Sequence, residues 1–232
     1  MPSLRYYGHS AFRIQDDRFS VFIDPFMSAS PQCAIPVSDH KKCDFVLVTH
    51  GHADHFGDTL ELAKKFGATV VATHELAVFC ESKGVKVHGM AVGGAHDFPF
   101  GRVKMVPALH GIGSDPLPDG SQPPPSTPVG FVVTWGKAKS VYHAGDTALY
   151  SDMRLISEKK PLDVACLPIG DNYTMGVEDA ARAAEWIEAN LYVPMHYGTF
   201  PVVKSDPLAF AFRLEKLGRK CKILKVGERV EF

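Results

Sequence analysis

The apolar run Val46-Leu47-Val48 stops at Thr49, and the next six positions, His50-Gly51-His52-Ala53-Asp54-His55, hold three imidazoles and a carboxylate. The run is aliphatic without alternation, which predicts a buried strand. Beyond Gly57, Leu60, Leu62, Ala63 and Phe66 recur on one side, with Lys64 and Lys65 on the other, which predicts an amphipathic helix. The polar cluster therefore lies on a strand-to-helix loop, and the fold must let one strand end deliver four ligand-type side chains to one place. Neutral imidazole and carboxylate are donors that zinc, manganese and iron accept. Four donors in so short a span exceed what one tetrahedral site with an open position takes, so the loop reads as half of a two-metal site. A lone loop histidine is usually a polar surface residue. The H-x-H-x-D-H spacing directly after a buried strand is what sets this one apart.

Punctuation along the chain predicts the other elements. Leu4–Tyr7, Ala11–Ile14 and Ser20–Ile23, broken at Gly8 and at Asp16-Asp17-Arg18, form a β-meander. Thr69–Thr73 is a strand, and Glu75–Lys83 a helix closed by Gly84. Val85–His88, Gly101–Val106, Gly130–Trp135, Ser140–His143, Asp163–Pro168 and a run ending at His196 are strands. Val177–Asn190 is a helix with Glu178 and Asp179 in its first turn, where the helix dipole favours them. Asp206–Leu217 is a helix with Pro207 at its first position and Gly218 closing it. Ile223–Val226 and Arg229–Phe232 read as a closing hairpin. Gly113–Pro128 holds six prolines and no apolar periodicity, so it is a long loop. It starts just after His110, which makes it a candidate lid.

Composition narrows the classes. A formal charge of −1 argues against a broad nucleic-acid surface, and no apolar run approaches a membrane span. The Met-Pro-Ser-Leu-Arg start has no apolar core after a basic head, so no signal peptide is expected. Five scattered cysteines without a C-x-x-C pair read as reduced thiols of a cytoplasmic protein, Cys33 among them as a buried, inert one.

The T-H-x-H-x-D-H loop resembles the signature of the metallo-β-lactamase superfamily, and the resemblance runs from Leu4 to the C-terminus. Later positions match in order: His110 ends the apolar run Val106–Leu109, Asp146 lies in Gly145-Asp146-Thr147 after a strand, and His196 ends the strand Leu191–Met195. The resemblance implies one α/β (α+β) domain over residues 1–232, a four-layer αββα sandwich with two divalent metal ions, zinc, manganese or iron. His50, His52 and His110 would bind one ion, Asp54, His55 and His196 the other, and Asp146 would bridge them. Tyr7-Gly8-His9-Ser10 and Ile23-Asp24-Pro25 look like the start of the L-ascorbate-6-phosphate lactonase-like branch and its metal-dependent hydrolase relatives of UPF0173 type. In that branch this histidine lies at the metal site, so His9 is a site candidate beside the plainer reading of a hydrogen-bonded loop histidine. Asp24 is expected to orient a metal ligand, and His143 to serve as support or core. Gly170–Gly176 is similar to a G-x-x-x-T-M-G stretch beside that branch's active site, so Asp171, Asn172 and Tyr173 are expected to face the pocket. A helix cap at Thr174 is the plainer alternative.

Two cations sharing a water lower its pKa toward ~7, which predicts hydrolysis of a lactone, ester or phosphoester on a small polar molecule. Asp54 is the candidate proton carrier. A metallonuclease of the same fold would need an RNA-gripping arm or basic patch. Di-iron oxygen-reducing relatives carry Glu where His52 stands. A non-catalytic metal- or ligand-binding protein is the remaining alternative. A small-molecule substrate, no nucleic acid, no membrane and, by analogy, a homo-oligomer are the expected partnerships.

Overall fold

Side-chain alternation in the first two strands sets the layering. Leu4 and Tyr6 of β1 (Ser3–Tyr6) and Phe12 and Ile14 of β2 (Phe12–Gln15) are buried on one face, and Arg5 and Arg13 are left to the other. The same division continues through β3 (Ser20–Ile23) and β4 (Phe45–Leu47): Val21, Ile23 and Leu47 point into the inner core, Phe22 and Val46 outward. The computed structural model describes residues 1–33 and 35–232. A one-turn helix α1 (Ala53–Phe56) and then α2 (Thr59–Phe66) follow β4. Strand β5 (Thr69–Thr73), α3 (His74–Ser82) and β6 (Lys86–Met90) complete the first half. Leu62, Ala63, Leu76 and Cys80 of α2 and α3 cover the outer face through Val46, Val70 and Ala72.

The second half comprises β7 (Ala95–Phe98), β8 (Gly101–Pro107), β9 (Val129–Trp135), β10 (Lys139–His143), β11 (Leu162–Pro168), α4 (Val177–Trp186), β12 (Ala189–Met195), α5 (Pro207–Lys216) and β13 (Arg229–Glu231). Two sheets result, in the orders β13-β1-β2-β3-β4-β5-β6 and β12-β11-β10-β9-β8-β7. Their inner faces share one core, in which Leu4, Ile14 and Leu47 belong with Val103, Phe131, Val141 and Val164. Ala180, Ala183 and Ala184 of α4 and Phe210 and Leu214 of α5 add the outer layer of the second sheet. The architecture is the expected αββα sandwich. Asp206 caps α5, its carboxylate accepting the Leu208 N–H at 2.9 Å.

Three local expectations are corrected. The helix expected to run to Asn190 ends at Trp186, because Ala189 is already paired with Leu162 in a parallel ladder, and strand pairing overrides helical periodicity there. Ile223–Val226 is not a strand. Lys225 and Glu228 close a turn, Gly227 N–H donates to the Tyr6 carbonyl, and Arg229–Glu231 pairs with Ser3–Arg5 instead. That partner lies at the other end of the chain, out of reach of a local reading. Strand β7 was not foreseen: Ala95-His96-Asp97-Phe98 is a short, polar edge strand held by β8. Among the described residues, no helix is long and apolar enough to cross a membrane.

His40 fills a slot against the rings of Tyr7 and Phe22, at 5.3 and 5.0 Å. Burial and then the nearby Arg13 push its pKa from 6.5 down to about 4. Between those values the unfolded chain binds more protons than the folded one. The neutral ring's contribution is therefore complete above pH 6.5 and is lost as pH falls toward about 4. His40→Phe, which fills the slot without titrating, is expected to flatten part of the decline in unfolding free energy across that window. Denaturant titrations of both proteins at several pH values check this.

Candidate metal centre

Six strands end at one edge of the sandwich, and a polar residue follows each: His9 after β1, Asp24 after β3, His50 after β4, His110 after β8, Asp146 after β10 and His196 after β12. The pairing explains the convergence. β3 and β4 are parallel, and so are β10, β11 and β12. β1 and β8 regain the same direction through an intervening antiparallel strand. Three of these residues sit in a left-handed backbone conformation, His9 at φ 52°, Asp24 at φ 46° and His196 at φ 55°. The chain leaves each strand with a twist that swings the side chain inward, and such strain, of order 1 kcal/mol or more per residue, clusters at functional sites. Gly170 lets the end of β12 come close: a Cβ there would lie 2.2 Å from the His196 carbonyl oxygen. The His196 N–H donates to the His9 carbonyl at 2.8 Å, which ties the two sheets together at this edge.

The loop after β4 behaves as its sequence suggests. His52 precedes the single turn α1, which carries Asp54 and His55, and Gly57 ends it where a Cβ would meet the Pro25 carbonyl at 2.5 Å. His50 Nε2 and His110 Nε2 lie 3.0 and 3.2 Å from His52 Nδ1. Donors ~2.0–2.1 Å from a zinc ion in tetrahedral array stand ~3.3 Å apart, so this triad has ligand spacing. Asp146 lies between this triad and a second group. Its Oδ1 is 3.1 Å from His55 Nε2, and its Oδ2 is 2.9 Å from His196 Nε2 and 3.6 Å from His110 Nε2. Asp54 Oδ2 lies 3.8 Å from His196 Nε2. Both groups, His50-His52-His110 and Asp54-His55-His196 with His9, are compact enough to hold a cation, and so is His50-His55-Asp146.

The supporting hydrogen bonds orient the rings. Asp24 is buried and accepts from Thr49 N–H at 2.8 Å, Thr49 Oγ1–H at 2.7 Å and His55 Nδ1–H at 2.7 Å. Because the Thr49 hydroxyl is spent as a donor, it accepts from His50 Nδ1–H at 2.9 Å. This network assigns the proton to Nδ1 of both rings and turns both Nε2 atoms toward the cavity. His9 Nε2–H donates to Asp54 Oδ2 at 3.0 Å, and His9 Nδ1 accepts from Thr199 at 2.8 Å. His9 is thus drawn into the site through Asp54. His143 stays out of all three groups: Nε2–H donates to the Ser10 carbonyl at 2.9 Å and Nδ1 accepts Gly145 N–H at 3.2 Å, a buried supporting role.

Burial and neighbouring charges set the protonation tendencies of the cluster. Burial, with His55 nearby, holds His50 well below the usual imidazole range, and burial lowers His110 as well, so both are neutral. Burial would raise Asp146, but His196 and His55 outweigh it and keep the carboxyl well below its usual range. Burial likewise opposes ionisation of Asp54, and His55 and His9 overcome it. Burial would lower His55, yet Asp146, Asp24 and Asp54 together raise it. Burial lowers His9 to about 4, against the pull of Asp54. His55 Nε2, Asp146 Oδ1 and both nitrogens of His196 are buried without hydrogen-bond partners. Buried polar atoms are nearly always satisfied. Three of them, His55 Nε2, Asp146 Oδ1 and His196 Nε2, lie together at the cluster and suit divalent-cation binding, whereas His196 Nδ1 lies against Gly170.

The cavity over this cluster measures about 280 Å³ and is lined by His52, Asp54, His110, Asp115, Asp146, Tyr173 and His196. Two larger cavities lie elsewhere, one lined by no imidazole and the other by the single imidazole of His40. Of the three residues expected from the Gly170–Gly176 stretch, only Tyr173 lines it. Asp171, at φ 70°, is locked in a turn by hydrogen bonds to Thr174 and Met175 and turns toward Gly176 and a separate surface cavity. Asn172 is exposed and lines no part of the metal cavity. Thr174 does not cap α4, whose first cap position is Gly176. Cys33 is buried, lies outside the lining, and burial raises its thiol pKa.

Sequence reasoning missed Asp115, Thr49 and Thr199. Asp115 comes from the long loop, and its Oδ2 accepts the Ala53 N–H at 2.9 Å, capping the turn that bears Asp54 and His55. The loop is pinned by Ser126 N–H to the Ile112 carbonyl at 3.0 Å and by Lys83 to Asp119 at 2.9 Å. Only its position after His110 could have pointed to Asp115.

Residues 20–197 match a family model described as a Beta-lactamase superfamily domain. A UPF0173 metal-dependent hydrolase of Bacillus cereus (strain AH187) is 47% identical over 225 residues, 97% of each chain. Another, of Anoxybacillus flavithermus (strain DSM 21510 / WK1), is 45% identical over 237 residues, covering 98% of this chain and 99% of its own. Igni18, a metallo hydrolase of the archaeon Ignicoccus hospitalis KIN4/I, superposes with a TM-score of 0.88 at 35% identity, covering 100% of this chain and 99% of that one.

Asp24→Asn tests the support network. Asparagine tolerates the positive φ, but it replaces an acceptor oxygen with a donor amide against Thr49 and His55. The expected outcome is a folded protein whose zinc affinity drops about 10–100-fold, read by competition with a chromophoric chelator.

Proposed function

The chain belongs to the beta-lactamase superfamily and, within it, to the UPF0173 metal-dependent hydrolase family, and on that footing we propose that it is a hydrolase built around a pair of divalent cations. Its substrate is a small polar lactone, ester or phosphoester. The observation that carries this reading is the set of buried, partnerless donor atoms on His55, Asp146 and His196, facing the His50-His52-His110 triad. His50, His52 and His110 would hold one ion and Asp54, His55 and His196 the other, with Asp146 available to both. Zinc, manganese and iron all accept such donors.

A pair of divalent cations held there would supply a nucleophilic water at neutral pH and polarise the scissile carbonyl or phosphoryl oxygen. The chain's own residues do the rest. Asp146, 3% exposed, fixes the spacing, whereas Asp54 is 28% exposed and opens to the cavity. Asp54 takes the proton released by the attacking water and returns it to the leaving group. His9 keeps Asp54 Oδ2 in place for that exchange. Five imidazole and two carboxylate donors would leave two bound divalent cations with net positive charge, which favours a substrate with anionic or strongly polar oxygens. A cavity of about 280 Å³ suits a small molecule, with Tyr173 and Asp115 at its rim to contact it. Five free cysteines favour a reducing compartment such as the cytoplasm.

Protein stripped of metal with a chelator is expected to lose turnover on a panel of lactones, thioesters and phosphodiesters, and to regain it with zinc or manganese. Equal rates before and after stripping would overturn the proposal. Asp54→Asn is expected to retain metal by elemental analysis while kcat falls about 10²–10⁴-fold. Asp146→Asn is expected to hold one ion where the native chain holds two.

A further inference from the structure

A second cavity, of about 440 Å³, shares no lining residue with the metal centre. Arg5 of β1, Arg13 of β2, Tyr7, and His40, Lys41 and Lys42 line it. Alternation puts the two arginines here, since Leu4, Tyr6, Phe12 and Ile14 occupy the inner face. The register sets Arg5 directly opposite Arg13 on one side and opposite Arg229 of β13 on the other, so three arginines stand abreast. Like charges directly opposite one another destabilise a sheet. Among the described residues, none of Arg5, Arg13, Lys41 and Arg229 has a carboxylate within ion-pairing distance.

The burial is equally uneconomical without a partner. The Arg13 guanidinium lies over the rings of Tyr7 and Phe22, at 5.6 and 5.5 Å. Nε of Arg5, Nε of Arg13 and Nε2 of His40 are all buried without hydrogen-bond partners, and His40 is only 7% exposed. The two carboxylates at the cavity are engaged locally. Asp16 accepts from the backbone of Arg18 and Phe19 and from the Trp135 indole, and Asp39 accepts from Ser38. The chain carries a formal charge of −1, so the cationic excess belongs to this face and not to the whole protein. A larger groove of about 650 Å³ near Lys104, Lys137 and Lys159 is also basic, but its cations are solvated and it encloses none of the buried, partnerless atoms.

We propose that the Arg5–Arg13–His40 cavity is a binding site for a small phosphomonoester, separate from the metal centre. The phosphate sits between the two guanidiniums, with Lys41 at its edge. A dianion there turns cross-strand repulsion into a bridge, and guanidinium forks match phosphate oxygens better than a point charge does. His40 supplies a neutral imidazole N–H to the same anion. The volume exceeds that of bare phosphate and falls in the range of small-molecule sites.

The test is an NMR titration of the metal-loaded, isotope-labelled protein with phenyl phosphate, inorganic phosphate and benzoate. Saturable shifts of the His40 ring and Arg13 Nε signals are expected with phenyl phosphate, weaker ones with inorganic phosphate, and none with benzoate. Arg13→Met keeps an aliphatic stem on the Tyr7 ring and is expected to lose about tenfold or more in affinity. Lys41→Gln, at an exposed position that carries no folding risk, is expected to lose severalfold. The proposal is overturned if shifts are confined to metal-centre residues, if benzoate binds as well as phenyl phosphate, or if both variants bind undiminished.

Discussion

Asp24 and Asp146 are carboxylates buried where two sheets meet, and buried charge must be compensated. Much of this edge of the molecule answers that demand. Asp24 is met by a backbone amide, a hydroxyl and an imidazole N–H from the turn Thr49–His55. Asp146 is met by His55 and His196, one from each sheet. His55 stands between the two carboxylates, so the orientation of the first metal-loop strand, the depth of β3 and the end of β10 are fixed together. A shift of any one would leave a charge stranded in the core.

The compensation within the protein is incomplete. His55 and His196 lie within 3.1 Å of Asp146 through nitrogens that still lack good hydrogen bonds, and the His50-His52-His110 triad stands beside them. An arrangement of donors that do not satisfy one another costs stability, and the backbone strain at His9, Asp24 and His196 adds to it. A bound cation would offset both costs, so the same unsatisfied chemistry that burdens the fold is what suits the site to metal.

Much of this was legible in the chain. The H-x-H-x-D-H run after an aliphatic strand pointed to a metal loop, and the resemblance to the metallo-β-lactamase superfamily pointed to His110, Asp146 and His196, which the fold brings beside it. Apolar runs and helical periodicity gave the strands and α2, whereas the αββα layering followed from the family resemblance alone. What was not legible has a common cause. Asp171 and Asn172 stand beside Tyr173 in sequence, but a turn closed by Thr174 and Met175 separates them in space. The end of α4 and the pairing of β13 with β1 depend on partners remote in sequence. Asp115 carries no signal of its own, since a carboxylate in a proline-rich loop looks like any solvated one until its hydrogen bond to Ala53 is seen.

By itself the sequence determined which side chains can donate to a metal, which strands are buried, and that donors follow strand ends, because residue type and apolar period are local properties. Only the tertiary structure decided which donors meet, that His9 hydrogen-bonds Asp54 while His143 is spent on backbone groups, and that Arg5 and Arg13 face each other across a strand pair. Those outcomes turn on register, strand direction and the sign of φ at a few strand ends, and these are settled by contacts between segments that no neighbouring residue records.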